Sequence, residues 1–328
     1  MIDIKGKNIV VIMPFFYDYH NMIRDSLTKK GANVYLFNDN VETLKLSYKF
    51  IYSVPFISTE DFLRKYYKKL FLKLPEHIDI LLVVKGTSLR NDIIDQIKNC
   101  HPECHTILYE WDSTKKFPGS IALAPCFDRC LTFDSKDSEE FGWAYRPLFF
   151  EKEIDYNKGH RKYDYSFVGS LHSERAKVVS LMDDYCKING LSSFLFLYSR
   201  RAGYLHQKYL NKNKSFDVPE SRVHFKPLSK KDTDQVYEES VCVVDYQSTD
   251  QTGLTIRSIE ALGHGCKLLT NNAAIKAADF YDPDNIYIYN LDFFEIPSDF
   301  LKTEYHDVDM NIYHRYTVDG FIADLLEE

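Results

Sequence analysis

The segment Asp245-Tyr-Gln-Ser-Thr-Asp-Gln-Thr-Gly-Leu-Thr-Ile-Arg-Ser-Ile-Glu-Ala-Leu-Gly-His-Gly265 holds the densest set of side chains able to do chemistry. It reads as a strand end, then a polar loop containing Gln251, then a helix starting near Gly253 and Thr255. Backbone N–H groups and the dipole at such a start favour an anion, a phosphate above all. Arg257 and Glu260 stand three apart and share one helix face, while Leu254, Ile256, Ile259 and Leu262 supply much of the packing face. A guanidinium close to a diphosphate, with a carboxylate that can accept from two ribose hydroxyls, makes a coherent nucleotide site. The same two residues would equally form an ion pair on a solvated helix. Asp245 ends a strand, where it can hold a loop, a base edge or a structural donor.

A second candidate is Tyr163-Asp-Tyr-Ser-Phe-Val-Gly-Ser-Leu-His-Ser-Glu-Arg175: a strand, a turn at Gly169, and a helix with Ser173 as its expected cap. A tight turn lets backbone approach a phosphate or sugar, with Ser170, His172 and Arg175 in reach. It is also the turn that any connection from strand to helix needs.

The elements that must position these groups read as two α/β series. Strands are expected at Ile9–Met13, Val34–Phe37, Ile80–Val84, Thr106–Tyr109 and Cys130–Phe133, with helices over Asn21–Lys30, Asp61–Leu74 and Arg90–Asn99 between them. The strands are continuous apolar runs without alternation, as in parallel sheets covered on both faces. From Glu151 to Lys162 the chain turns polar, and a linker is expected there. The second series has strands at Tyr165–Val168, Phe194–Leu197, Val223–Phe225, Val241–Val244, Lys267–Thr270 and Ile286–Tyr289, with helices from Glu174, Lys230 and Gly253. The expected layout is two doubly wound, Rossmann-like domains, 1–150 and 151–305, facing a central cleft. A helical segment, 306–328, is expected to pack back on the first domain.

At 328 residues and 45% hydrophobic the chain can bury the cores of two domains, and its net charge of -7 argues against a nucleic-acid partner. No run approaches the roughly 18 apolar residues of a spanning helix, and Met1-Ile-Asp-Ile-Lys-Gly-Lys7 lacks the order of a signal peptide, which predicts a cytoplasmic protein. Seven scattered cysteines fit reduced thiols. Met13-Pro-Phe-Phe16 stands where a dinucleotide enzyme would carry Gly-x-Gly-x-x-Gly.

Taken together, Ser-Phe-Val-Gly-Ser170 followed by Glu-Arg175, then Asp-Tyr-Gln247, Gly-Leu-Thr-x-Arg-x-x-Glu260 and Lys-Leu-Leu-Thr-Asn271, resemble the CgeB-like glycosyltransferases and related bacterial capsule and lipopolysaccharide biosynthesis proteins. In the first half, Ile12-Met-Pro-Phe-Phe16, Leu108-Tyr-Glu-Trp-Asp-Ser113, Leu131-Thr-Phe-Asp134 and Arg146-Pro-Leu-Phe149 extend the likeness. The resemblance implies a GT-B fold, with a sugar moved from a nucleotide-sugar donor to a glycan or lipid-linked acceptor. It makes Glu260, in the context Glu260-Ala-Leu-Gly-His-Gly265, the ligand of the nucleotide ribose. Retaining members often carry a second Glu eight residues earlier, where this chain has Thr252, so retention does not carry over.

The resemblance also turns the loop Pro14–His20 and the residue Asp112 of Trp111-Asp-Ser113 toward an acceptor. Asp112 is the first choice for the base that removes a hydroxyl proton, Asp18 the second, and His20 the third candidate. His20 could equally cap a helix or face solvent. With no firm Asp-x-Asp motif, Arg257, Arg175, Lys226 and helix-start N–H groups are expected to balance the leaving diphosphate, with no metal and no cofactor beyond the donor. Alternatives are a GT-B-shaped sugar-nucleotide epimerase and a non-catalytic nucleotide-sugar-binding partner of a polysaccharide synthase.

Two further features lead elsewhere. Cys100-His-Pro-Glu-Cys-His105 has zinc-ligand chemistry, but a tetrahedral set from six consecutive residues is cramped. Arg64-Lys-Tyr-Tyr-Lys-Lys-Leu-Phe-Leu-Lys73 reads as an amphipathic helix that would pack by its apolar side, and its lysines suit peripheral contact with an anionic membrane.

Overall fold

The computed structural model describes residues 2–15, 18–39, 59–151, 161–209 and 220–327. Most of the expected linker (152–160) and residues Phe16 and Tyr17 of the first loop lie outside them. The chain divides into two compact units, Met1–Pro147 with Val318–Glu328, and Leu148–Thr317.

In the first unit the strands are β1 (Asn8–Met13), β2 (Asn33–Asn38), β3 (Ile80–Val84), β4 (His105–Glu110), β5 (Arg129–Thr132) and β6 (Ala144–Tyr145). They form one parallel sheet in the order β2-β1-β3-β4-β5-β6. All five residues of β3 are buried, which is why it reads as an unbroken apolar run. The helices are α1 (Tyr19–Lys29), α2 (Thr59–Phe71), α3 (Asn91–Cys100), α4 (Gly119–Leu123) and α5 (Ser135–Phe141). Val10, Ile12, Leu81, Val83 and Leu108 pack against Tyr67, Leu70, Ile93 and Ile97 to make the core.

The second unit repeats the plan with β7 (Tyr163–Ser170), β8 (Ser193–Tyr198), β9 (Val223–His224), β10 (Ser240–Val244), β11 (Lys267–Thr270) and β12 (Ile286–Ile288). Their order is β12-β11-β10-β7-β8-β9, again parallel throughout. Its helices are α6 (Arg175–Asn189), α7 (Arg201–Tyr209), α8 (Lys230–Glu238), α9 (Ile256–Gly263) and α10 (Met310–Arg315). Two cores cover the two faces of the sheet: Phe167, Val178, Met182 and Val244 on one, and Val243, Ile259, Leu262 and Leu268 on the other.

One more helix, α11 (Val318–Leu325), belongs to the first unit, where it packs along α1. Arg146 fixes it, with Nε 2.8 Å from the Asp324 carboxylate and the guanidinium over the Phe321 ring. Ser26 adds a hydrogen bond to Asp319.

Both sheets change direction of winding at one place. In the first, β2 lies on one side of β1 and β3 on the other; in the second, β8 and β10 flank β7 in the same way. Adjacent connections at such a point leave on opposite faces and open a crevice at the carboxyl ends of the strands.

Close packing sets one constraint in the second core. A Cβ built on Gly263 would lie 2.5 Å from Cγ and 2.7 Å from Cβ of the fully buried Phe150. Gly263→Ala should therefore destabilise the protein by about 1–3 kcal/mol, lowering its melting temperature; an unchanged melting curve would contradict the packing described.

Candidate functional site

The crevice of the second sheet lies between the ends of β7 and β10, and Arg257 of α9 spans it. Its Nε donates to Asp245 Oδ1 just beyond β10 (3.1 Å) and its Nη1 to the Val168 carbonyl on β7 (3.4 Å). Nη2 is buried and has no hydrogen-bond partner among the described residues. Gly169 leaves the room: a Cβ there would meet the Phe167 ring at 3.0 Å and Arg257 Nη1 at 3.5 Å.

Asp245 is the hub of this arrangement. Fully buried, it accepts from Thr255 Oγ1 (2.7 Å), Ser258 Oγ (3.3 Å) and Thr270 Oγ1 (3.0 Å) as well as from Arg257, while Tyr289 Oη donates to its backbone carbonyl (2.8 Å). The helix starts later than its sequence pattern suggests. Gly253 and Leu254 lie in the loop, and Thr255 is the cap, its hydroxyl accepting from the Ser258 N–H. An apolar Leu254 continues the helical pattern, but the hydroxyl that can satisfy an opening N–H decides the boundary.

Glu260, one turn on, faces a different neighbourhood. Its carboxylate lies 3.3 Å from Lys230 Nζ and 3.7 Å from His264 Nε2, and Lys230 also binds Asp234. Arg257 and Glu260 are thus each engaged with other residues. Burial pushes the Glu260 carboxyl up to about 7, helped by Asp234 and opposed by Lys230. Burial alone would lower Lys230, but Glu260 and Asp234 outweigh it and raise it. Asp234, Glu260 and His264 have metal-ligand chemistry, with donor atoms within 4.8 Å of one another. The Lys230 ammonium already supplies a cation to both carboxylates. Neither Lys230 nor Asp234 is legible in the sequence as part of a site, because only the packing of α8 on this sheet brings them to α9.

A raised carboxyl binds more protons in the folded than in the unfolded chain, so its contribution is complete below about pH 4.5 and is lost as pH climbs toward 7. The loss should be on the order of 3 kcal/mol. Urea titrations across this range should give a steeper decline for wild type than for Glu260→Gln; parallel slopes would contradict the assignment.

The turn after β7 comes to the same edge of the sheet. Arg175 Nη1 reaches the Ser170 carbonyl (3.3 Å) and His172 Nε2 (2.6 Å), and Tyr246, beyond β10, hydrogen-bonds Glu174. Ser173 is not the cap: it takes a left-handed φ of 53°, and Glu174 precedes the first turn of α6. Gln251 and Thr252 line the β10–α9 loop, their carbonyls held by Gln247 Nε2 and Asn272 Nδ2. Lys226 follows β9 and is exposed.

At the corresponding crevice of the first sheet, between β1 and β3, stands a residue that sequence reading missed. Lys85 follows β3 with φ 72°, and its ammonium lies 2.7 Å from Asp112 and over the Phe117 ring. A lysine in the left-handed region costs energy that its surroundings must supply; the adjoining Gly86 was the only hint of a tight turn. Asp112 is thereby ion-paired. Asp18 accepts from the Asn21 amide (2.6 Å). His20 stacks on Phe15 with centroids 4.2 Å apart; its Nδ1 is buried with no hydrogen-bond partner among the described residues, and burial lowers its pKa. It is therefore a neutral imidazole at neutral pH. Two residues before Asp112, both carboxylate oxygens of Glu110 are buried without a hydrogen-bond partner among the described residues, and burial raises its pKa strongly.

Elsewhere, Cys104 of the histidine- and cysteine-rich turn is buried with its thiol pushed up to about 12 by burial, whereas Cys100 is exposed. Among the described residues no helix is long and apolar enough to cross a membrane.

No protein-family model matches the chain, and no curated protein matches it by sequence. Its backbone does match solved structures. Anabaena HepE in complex with UDP and glucose aligns over 98% of this chain and 99% of its own, with TM-score 0.57 and 11% identity. A UDP-forming α,α-trehalose-phosphate synthase from Burkholderia xenovorans aligns over 98% of both chains with TM-score 0.56 and 11% identity. UDP-N-acetylglucosamine 2-epimerase from Rickettsia bellii aligns over 98% of this chain and 96% of its own with TM-score 0.52 and 11% identity. At such identity the likeness concerns the backbone. Two Rossmann-like units, each built on a parallel six-stranded sheet, give this chain the GT-B fold.

Proposed function

We propose that the protein is a nucleotide-sugar-dependent glycosyltransferase whose donor diphosphate binds at the β7–β10 crevice. The observation that carries this reading is Arg257: buried, braced by Asp245, set against a glycine, and with Nη2 lacking a partner among the described residues where a diphosphate oxygen would accept from it. The N–H groups opening α9 add to the positive end of the site. Arg175 and Lys226 are the further cations we assign to the diphosphate. Glu260 is the proposed ribose ligand, and a carboxyl near 7 can both donate to and accept from a hydroxyl.

In the proposed transfer the acceptor oxygen attacks the anomeric carbon, the bond from that carbon to the diphosphate oxygen breaks, and the nucleoside diphosphate leaves with its electron pair. The acceptor proton passes to a base of the first unit. Asp112 remains a candidate, as does Asp18, and the neutral imidazole of His20 is a third that needs no ion pair to be broken. The charge growing on the diphosphate is met by Arg257 and the helix start without rearrangement. The resemblance to CgeB-like proteins supports an acceptor belonging to a bacterial surface polysaccharide. A lipid-linked acceptor would suit α2, which exposes Lys68 and Lys69 and is followed by the exposed Leu72.

The test is a thermal-shift panel of UDP-, GDP-, CMP- and dTDP-sugars. A cognate donor at 100 times its Kd should stabilise the folded chain by about 2.7 kcal/mol. Sugar transfer releases nucleoside diphosphate only when an acceptor is present, while an epimerase converts the donor without one. A panel with no shift would refute the nucleotide-sugar reading.

A further inference from the structure

Gln247 lies two residues past Asp245 on the loop from β10 to α9, and it is 4% exposed. Its backbone is clamped by one side chain: Asn271, just after β11, accepts from the Gln247 N–H (2.7 Å) and donates to the Gln247 carbonyl (3.0 Å). Its amide Nε2 donates to the Gln251 carbonyl (3.2 Å). That contact fixes the amide orientation, since a carbonyl can only accept and the reverse placement would set two acceptors face to face. The other end of the amide, Oε1, is left buried with no hydrogen-bond partner among the described residues. A buried acceptor without a donor costs about 1–3 kcal/mol, so an amide held this firmly in that state is matched to a donor that arrives from outside. Arg257 Nη2 is a second buried polar atom without a partner at the carboxyl edge of the same sheet. One atom requires an acceptor and the other a donor.

We propose that Gln247 is a specificity residue of the donor site, its Oε1 accepting an N–H from the same ligand whose diphosphate meets Arg257. This rests on the nucleotide-sugar reading above and narrows it to a donor carrying such a group. Two sources share that chemistry: the imide N–H of a uracil, thymine or guanine ring, and the N–H of an acylamino sugar. A donor built from cytosine and a simple hexose has neither group: the cytosine ring nitrogen at that position is itself an acceptor, and the base's N–H lies on the exocyclic amine, one position removed.

The experiment measures Kd by calorimetry for UDP, dTDP, GDP, CDP, UDP-glucose and UDP-N-acetylglucosamine with wild type, Gln247→Met and Arg257→Lys. If the base supplies the N–H, wild type prefers one of the imide-bearing nucleotides over CDP by roughly 5- to 150-fold, and Gln247→Met removes that preference. If the sugar supplies it, Gln247→Met leaves the nucleoside diphosphates unchanged and removes a preference of similar size for UDP-N-acetylglucosamine over UDP-glucose. Ratios that stay the same in Gln247→Met while Arg257→Lys still weakens every ligand overturn the role of Gln247 and leave the nucleotide-sugar reading standing. If none of the six binds wild type, the nucleotide-sugar reading falls, and this proposal with it. Should Gln247→Met prove poorly folded by circular dichroism, Gln247→Ala serves instead; it removes the acceptor oxygen, so the preference is lost in it, and a preference that survives there overturns the proposal.

Discussion

Asp245→Ala is expected to remove about 3–5 kcal/mol of stability from the second unit, because it strands a buried guanidinium without its counter-ion. Four side-chain donors converge on the Asp245 carboxylate: the hydroxyls of Thr255, Ser258 and Thr270, and Arg257 Nε. Together they tie the cap and first turn of α9 to the ends of β10 and β11. The substitution leaves a void as well as orphaned donors, and for a unit of this size the melting temperature should fall on the order of 10 °C. Asp245→Asn keeps an acceptor and should cost less, though it leaves Arg257 uncompensated. A loss below about 1 kcal/mol for Asp245→Ala would mean that solvent or a rearranged Arg257 replaces the carboxylate, and the hub would lose its standing.

Arg257→Lys should weaken nucleotide binding by roughly 30-fold or more, the equivalent of about 2 kcal/mol. Charge is retained in this variant, so electrostatic attraction alone predicts little change. What a lysine cannot reproduce is the fork: Nε toward Asp245 and Nη1 toward Val168 leave Nη2 aimed elsewhere, three directions that one ammonium on a flexible stem does not hold at once. Calorimetry on the cognate nucleotide decides it, with circular dichroism to show that the variant is folded. Affinity within twofold of wild type would place the diphosphate away from Arg257.

Much of the scaffold could be read from the residues. Buried parallel strands such as Ile80–Val84 are apolar runs whose limits the pattern gives directly. Arg257 and Gly169 were legible as candidates because a strand, a tight turn and a helix start each have a local signature. The partners of these residues were not. Glu260 pairs with Lys230 across two helices, and no local spacing encodes that contact. Gln247 looked like one polar loop residue among several until its clamp by Asn271 and its bond to the Gln251 carbonyl were known. Lys85 is the plainest case, since nothing in a lysine's chemistry announces a left-handed backbone. Local boundaries failed where side-chain hydrogen bonding competes with periodicity, as at Thr255.

The helix that completes the first unit has a bearing on how the chain reaches its fold. Residues 318–325 follow the whole of the second unit in the sequence, yet Phe321, Ile322 and Leu325 are buried in the first. During vectorial synthesis the first sheet emerges early, but the apolar surface that these three side chains cover stays exposed until the second unit has been translated. The first unit therefore waits in a partly finished state, open to misassociation, while its partner folds. Its final stability is acquired only when α11 docks on α1 and Arg146 meets Asp324. Order of translation and order of consolidation run in opposite senses for the two halves of this protein.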